Sequence, residues 1–278
     1  LRGKKIMSGF IKVLKDSFRL LSAEPKLFIP KLIVAALFSI PLLAFPQLAF
    51  ETLAMRGASS GVNSIAPLMN ALWLIGAFVI ASTLVDVLVN AMYPFMVIDY
   101  FDKKPVSISG AFRKSIGKFF VAAPAVLAIE LLTIVIAILA AIPLAFALLS
   151  GNTAIIIAII AATLLAFFII SVLFYFIYPV STLEKTHFIG ALHQSVSVSL
   201  KNKGDISKAT ALTFVISLLA FGLSFAVNFY SKSGFVEGSI IALLLFIGVR
   251  FATAMLYTYQ YVLNPVFYLE YEKNKVLK

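Results

Sequence analysis

Three features of the amino-acid sequence predict an all-α membrane protein with six transmembrane helices, built as three repeats of an amphipathic connector helix plus a helical hairpin. First, hydrophobic residues make up 62% of the 278 residues and charged residues 13%, where a soluble domain carries about 25% charge. Second, 20 of the 23 Lys and Arg fall in residues 1–31, 103–118, 185–208 and 273–278, segments that alternate with apolar stretches in the positive-inside pattern. Third, one ending recurs. Pro94 is followed five residues later by Asp99, Pro179 by Glu184 and Pro265 by Glu270, with the prolines 85 and 86 residues apart. A beginning recurs with it: Gly110-Ala111-Phe112-Arg113-Lys114-Ser115 returns as Gly190-Ala191-Leu192-His193-Gln194-Ser195, and more loosely as Lys12-Val13-Leu14-Lys15-Asp16-Ser17. The chain therefore reads as a single transmembrane domain, 1–278, with repeats at approximately 6–104, 105–186 and 187–278.

The net charge of +11 is explained by attraction to anionic headgroups on the cytoplasmic face, not by nucleic acid, because the basic residues are spread between the spans. Membrane lipids are the expected partners. With no cysteine, disulfides and thiolate metal sites are excluded. The basic first 31 residues lack the short apolar core and small-residue cleavage site of a secretory signal.

Residues 6–22 place Met7, Ile11, Leu14, Phe18 and Leu21 on one helical face, with Lys12, Lys15, Asp16 and Arg19 opposite. Such a helix either lies in the headgroup layer or packs on the inner end of the bundle. Residues 32–50 form the first span, kinked by Pro41 and Pro46, and the loop 51–69 lies outside. The second span, 71–98, contains the single charge Asp86, and the third, 119–149, contains Glu130. A tight turn at 150–153 leads into the fourth, 153–183. Ala137, Ala141 and Ala145 on one side of that turn, and Ala154, Ala158, Ala162 and Ala166 on the other, predict a close helix contact. A second amphipathic connector, 187–201, turns Ile189, Leu192, Val196 and Leu200 to its apolar side. The fifth span, 206–230, a loop at 231–238 with Gly234 and Gly238, and the sixth span, 239–269, with Arg250, complete the chain. Both termini are then cytoplasmic in a multi-pass protein of the cell membrane.

The even-numbered spans carry polar rows leading to their prolines: Ser82, Asp86, Asn90 and Tyr93; Ser171, Tyr175 and Tyr178; Tyr257, Tyr261 and Asn264. Counted back from the proline they occupy positions eight, four and one in every copy. A second row on the sixth span runs Arg250, Thr253, Tyr257, Gln260 and Asn264. Polar groups facing lipid are costly, so the rows should turn inward around a pseudo-threefold axis, lining either a cavity or a satisfied network. Each proline removes a helix hydrogen bond and frees a carbonyl, which a neighbour or water must satisfy. Asp99, Glu184 and Glu270 form a candidate cytoplasmic ring, or else hold the connector helices. Asp86, Glu130 and Arg250 are the charges deep in the spans, and Asp86 and Arg250 are expected to neutralise each other.

No catalytic motif is present. His187 and His193 are six residues apart, wrong for a helical metal pair, and no phosphate loop or nucleophile elbow occurs. No enzymatic activity, cofactor or metal is expected. The ending from Pro179 to Glu184, followed by Gly190-Ala191-Leu192 and Ser195, resembles the six-span proteins related to the membrane domain of glycerophosphodiester phosphodiesterases. The resemblance implies an all-helical membrane fold; it does not imply phosphodiesterase activity, because the catalytic barrel of those proteins is a separate soluble domain. Two functions fit: binding or transport of a small solute or lipid through the inter-repeat interior, or a non-transporting scaffold for partner proteins or lipids.

Overall fold

The computed structural model describes residues 2–39, 66–236 and 240–272. Every described element is helical. Helix α1 (Arg2–Ala23) passes through a short 3-10 turn (Pro25–Phe28) into α2, helical over 29–39. Then come α3 (Ala66–Asn90), α4 (Met92–Phe101), α5 (Ile108–Ser150), α6 (Thr153–Leu173), α7 (Ile177–Leu183), α8 (Phe188–Lys201), α9 (Lys203–Val236) and α10 (Ile240–Tyr271). Among the described residues, five stretches are long and apolar enough to cross a bilayer: Gly76–Phe101, Ile108–Ser150, Thr153–Leu183, Lys203–Val227 and Leu243–Tyr271. The chain is a multi-pass, all-α membrane protein. Of the expected first span, residues 40–50 with Pro41 and Pro46 lie outside the described residues, as do 51–65 of the following loop. Residues 66–69, expected in that loop, belong to α3.

The breaks follow from the prolines and caps. Glu24 precedes Pro25 and is extended, with φ −126° and ψ 77°, because the proline ring disfavours the helical region at the residue before it. Asn90 ends α3, and α4 restarts with Pro94 as its third residue; Leu173 ends α6, and α7 restarts with Pro179 as its third. In a first helical turn the missing proline N–H costs nothing. Pro265, by contrast, sits inside a continuous α10.

Two sequence expectations about element boundaries fail. The connector and span expected as separate pieces at 105–149 are one helix of 43 residues, about 65 Å long and roughly twice the hydrocarbon thickness of a bilayer. Ser107 caps it, its hydroxyl accepting from the Gly110 N–H at 3.1 Å, and the helix continues through Pro124 and Pro143, each of which removes one backbone hydrogen bond without ending it. Gly151 ends it in the left-handed region at φ +66°, and Asn152 caps α6 by accepting from the Ile155 N–H at 3.2 Å. The loop expected at 231–238 is helical as far as Val236.

A third correction concerns packing. Helices α5 and α6 do touch, but Ala137, Ala141, Ala145, Ala154, Ala158 and Ala162 are exposed. The sheltered residues of this hairpin are Thr133, Ile136, Ala140, Leu144 and Ala147 on α5, and Ile156, Ile159, Thr163 and Ala166 on α6. The same rotation affects α1. Its buried stripe is Val13, Ser17, Leu20 and Leu21, whereas Ile11 and Phe18 face outward. Helix α1 packs on α10, with the Phe10 and Phe267 rings 5.8 Å apart.

The core lies where the chain turns at its prolines. Helices α4, α7 and α10 touch one another pairwise, and Tyr93, Met96, Val97, Phe176, Val180, Leu263, Val266 and Phe267 are completely buried there. The start of each connector seals this end. Val13 and Ser17, Ala111 and Ser115, and Ala191 and Ser195 are each fully buried one helical turn apart. Gly190 fits closely there: a side chain would meet the Thr186 hydroxyl at 2.2 Å, so Thr186 would have to move.

Candidate functional site

The polar rows of the even spans meet at one tyrosine. Tyr261 of α10 stacks on Tyr93 of α4, with centroids 6.0 Å apart and planes 16° from parallel, and takes Tyr178 of α7 edge-on at 5.8 Å. Positions four and one before the three prolines therefore converge, as the spacing predicts. Asn90 links two of the rows: its amide nitrogen donates to Asp86 Oδ2 at 2.8 Å and to the Tyr178 hydroxyl at 3.2 Å. The Tyr93 hydroxyl lies 3.5 Å from that of Thr258.

The carbonyl freed by a proline finds its donor across the bundle. Pro179 has no N–H for the carbonyl of Tyr175, four residues earlier, and the Asn264 amide nitrogen donates to it instead. Asn264 precedes Pro265 at the position Tyr178 holds before Pro179, so the polar row of α10 satisfies the break before Pro179.

The expected ion pair between Asp86 and Arg250 is absent. Asp86 is paired with Lys31, whose Nζ stands 2.5 Å from Oδ1 and 4.2 Å from the centroid of the Tyr261 ring. The Lys31 side chain is only 7% exposed, so a counter-charge is obligatory, and both Asp86 oxygens are now engaged, one by Lys31 and one by Asn90. Sequence reasoning missed Lys31 by grouping it with the basic N-terminal residues. A signal was present: Leu27, Lys31, Ala35 and Ser39 follow one another at four-residue spacing and all are buried. Small Ala35 and Ser39 mark that side as the inner one.

Three cavities surround Tyr261, and it lines all of them. The first, of about 370 Å³, lies between α2, α3, α9 and α10 and is bounded by Lys31, Asp86, Ser217, Arg250, Tyr257 and Gln260 among others. The second, of about 310 Å³, lies against α5 and α6 and is lined by Glu130, Thr133, Ser171 and Tyr178. The third, of about 210 Å³, lies between α6, α7, α9 and α10 and includes Tyr175, Thr210, Thr213, Gln260 and Asn264. The second polar row of the sixth span thus does face cavities along its length, from Arg250 to Asn264. Ser82 does not, its hydroxyl turning back to the Val79 carbonyl at 2.8 Å. Ser217, Thr210 and Thr213 of α9 were not singled out in the sequence, where an odd span without a deep charge gave no reason to.

Asp99, Glu184 and Glu270 each engage another helix. Lys114 of α5 reaches Asp99 at 3.1 and 3.3 Å. The Tyr268 hydroxyl donates to Glu184 Oε1 at 2.6 Å, and Lys118 donates to the Glu184 carbonyl at 2.7 Å. Glu270 is buried within electrostatic range of Lys12 and Asp16 of α1. Among the described residues, no three His, Asp or Glu side chains stand close enough to share a metal. Comparison of the chain with protein-family models, with curated proteins and with solved structures finds no match.

Proposed function

We propose that this is a membrane protein that binds, and in doing so moves, a small polar solute through the space between its repeats, without catalysing a reaction. The observation that carries this reading is the set of three cavities sharing Tyr261, the larger two within the size range of small-molecule sites and the one beside Lys31, Asp86 and Arg250 mainly polar. A close-packed scaffold has no use for a charge pair opening on a cavity at this depth, and polar groups inside a bilayer mark solute or ion pathways by default.

In the same reading the chain is a single domain of three repeats about a pseudo-threefold axis. Support comes from the pairwise contacts of α4, α7 and α10, and from the equal burial of Ser17, Ser115 and Ser195. The reading counts six spans, with α2 in the first of them, and the basic connectors and both termini face the cytoplasm against anionic headgroups. The outward Ile11, Phe18, Phe112, Ile116 and Ile189 of the connector regions suit that layer. The kinship to the membrane domain of glycerophosphodiester phosphodiesterases belongs to this reading also, resting on the residues from Pro179 to Ser195. The scaffold alternative draws on one feature, the sealed packing of α4, α7 and α10, which leaves no passage at the basic end. Density from protein purified in its native lipids separates the two. Non-protein density beside Tyr261 supports the solute site, and side chains filling that space without it supports the scaffold.

A further inference from the structure

Resting on that reading, we infer that the ligand of the largest cavity is a small oxyanion, a carboxylate or phosphate group, and that Arg250 is the residue that anchors it. Three charged groups line this cavity: Lys31, Asp86 and Arg250. Lys31 and Asp86 cancel. Each oxygen of Asp86 is engaged, one by the Lys31 ammonium and one by the Asn90 amide, and the carboxylate makes its ion pair with Lys31, not with Arg250. Arg250 is left over. Its Nε is buried without an acceptor, and among the described residues no carboxylate lies within ion-pair distance of its guanidinium.

A guanidinium inside a membrane span is retained only where something compensates its charge. The surrounding side chains do not. Thr253 spends its hydroxyl proton on the Arg250 carbonyl at 2.9 Å, and Tyr257, Gln260 and Ser217 are neutral. Among the described residues the cavity therefore carries one uncompensated positive charge on a planar fork of donors, the group best matched to the two oxygens of a carboxylate or phosphate. Its volume of about 370 Å³ accommodates a small organic acid or an inorganic phosphate with its nearest waters. The Lys31–Asp86 pair lines the same cavity. It keeps Lys31 from competing for the anion while repelling anions that approach Asp86, so that binding is localised to the Arg250 side.

The test is thermal unfolding of the full chain in detergent, titrated with sodium phosphate, sodium succinate, choline chloride and glucose at constant ionic strength. A second arm uses protein in nanodiscs of phosphatidylcholine with and without phosphatidylglycerol. Saturable stabilisation by phosphate or succinate is expected. In Arg250→Gln the apparent affinity should fall at least about tenfold, while Arg250→Lys retains part of it. If phosphatidylglycerol alone stabilises the wild type and Arg250→Gln abolishes the effect, the oxyanion is a lipid headgroup; if the soluble anions do so, it is a free solute. Stabilisation by choline or glucose with no anion effect overturns the oxyanion assignment and leaves the solute-binding reading intact. Anion binding unchanged in Arg250→Gln overturns the role of Arg250. Absence of saturable binding by all four soluble compounds and by the anionic lipid overturns both.

Discussion

The two ends of this bundle are built on opposite principles. At the basic end, α4, α7 and α10 meet with aromatic and branched side chains that are completely buried, among them Tyr93, Phe176 and Phe267. At the other end, around the turn at Gly151, the helices are almost purely apolar and mostly exposed: Phe146 is 70% and Leu149 86% exposed. In water the second region would be a folding error. In a bilayer it is the correct solution, because lipid tails are as apolar as leucine and no hydrophobic force drives those helices together. Cohesion must come from elsewhere, and here it comes from polar contacts, aromatic pairs and close packing concentrated near the prolines. The polar cavities lie between the two regimes.

The largest predicted effect tests that contrast directly. Phe267→Ala, which empties a fully buried site beside Phe10, Tyr175 and Tyr271, should destabilise the protein by about 3–5 kcal/mol. Phe146→Ala should stay within about 0.5 kcal/mol. Unfolding in a single detergent measures both, and equal losses would abolish the distinction between the two ends.

Next comes the ion pair at the boundary. Lys31→Met leaves Asp86 without its counter-charge and should cost roughly 3 kcal/mol, the lower end for a broken buried pair because Asp86 still faces a cavity. Lys31→Met combined with Asp86→Leu should cost far less than the sum of the single changes. A double-mutant cycle on thermal stability reads the coupling, and strict additivity would mean that the pair does not hold the bundle.

A smaller effect sharpens the account of the proline breaks. Asn264→Leu strands the Tyr175 carbonyl and should cost about 1–3 kcal/mol. Adding Pro179→Ala restores an N–H within reach of that carbonyl, so the double variant should recover about 1 kcal/mol of the loss. No recovery would show that Asn264 acts through packing instead.

The smallest belongs to Asp99 and Lys114. Lys114 is half exposed, so Lys114→Met should change stability by less than about 1 kcal/mol, and less still at high salt. A large change would mean that the basic end relies on its acids more than on its aromatic packing.

Sequence spacing revealed more than hydropathy did, and the reason is physical. The polar rows could be aligned on Pro94, Pro179 and Pro265 because each proline fixes a backbone event, so residues counted from it share a height and a face. That is why Asn90, Tyr178 and Tyr261 were placed together before any contact was known. Lipid-facing and protein-facing positions of α5 and α6 are equally apolar, so their alanines carried no directional information, and the expected contact forms through other residues. Helix α1 has apolar residues on two sides, and only Ser17, small and inside, marks the packed one. Lys31 was hidden because a lysine at the start of a span looks like a headgroup anchor; its partner could be named only once α2 was seen beside α3.

The central claim is that the space around Tyr261 is an aqueous, solute-accessible interior, and the absence of native cysteine makes it directly measurable. Ser217 lines two of the three cavities, while Leu219, two residues on, is 58% exposed on the outer surface of the same helix. Ser217→Cys and Leu219→Cys, each as the single thiol in proteoliposomes, should be treated with a small charged methanethiosulfonate reagent. Water reaching the interior predicts rapid modification at 217 and none at 219, where lipid excludes the reagent; a thiol at 217 as inert as the one at 219 would contradict the account.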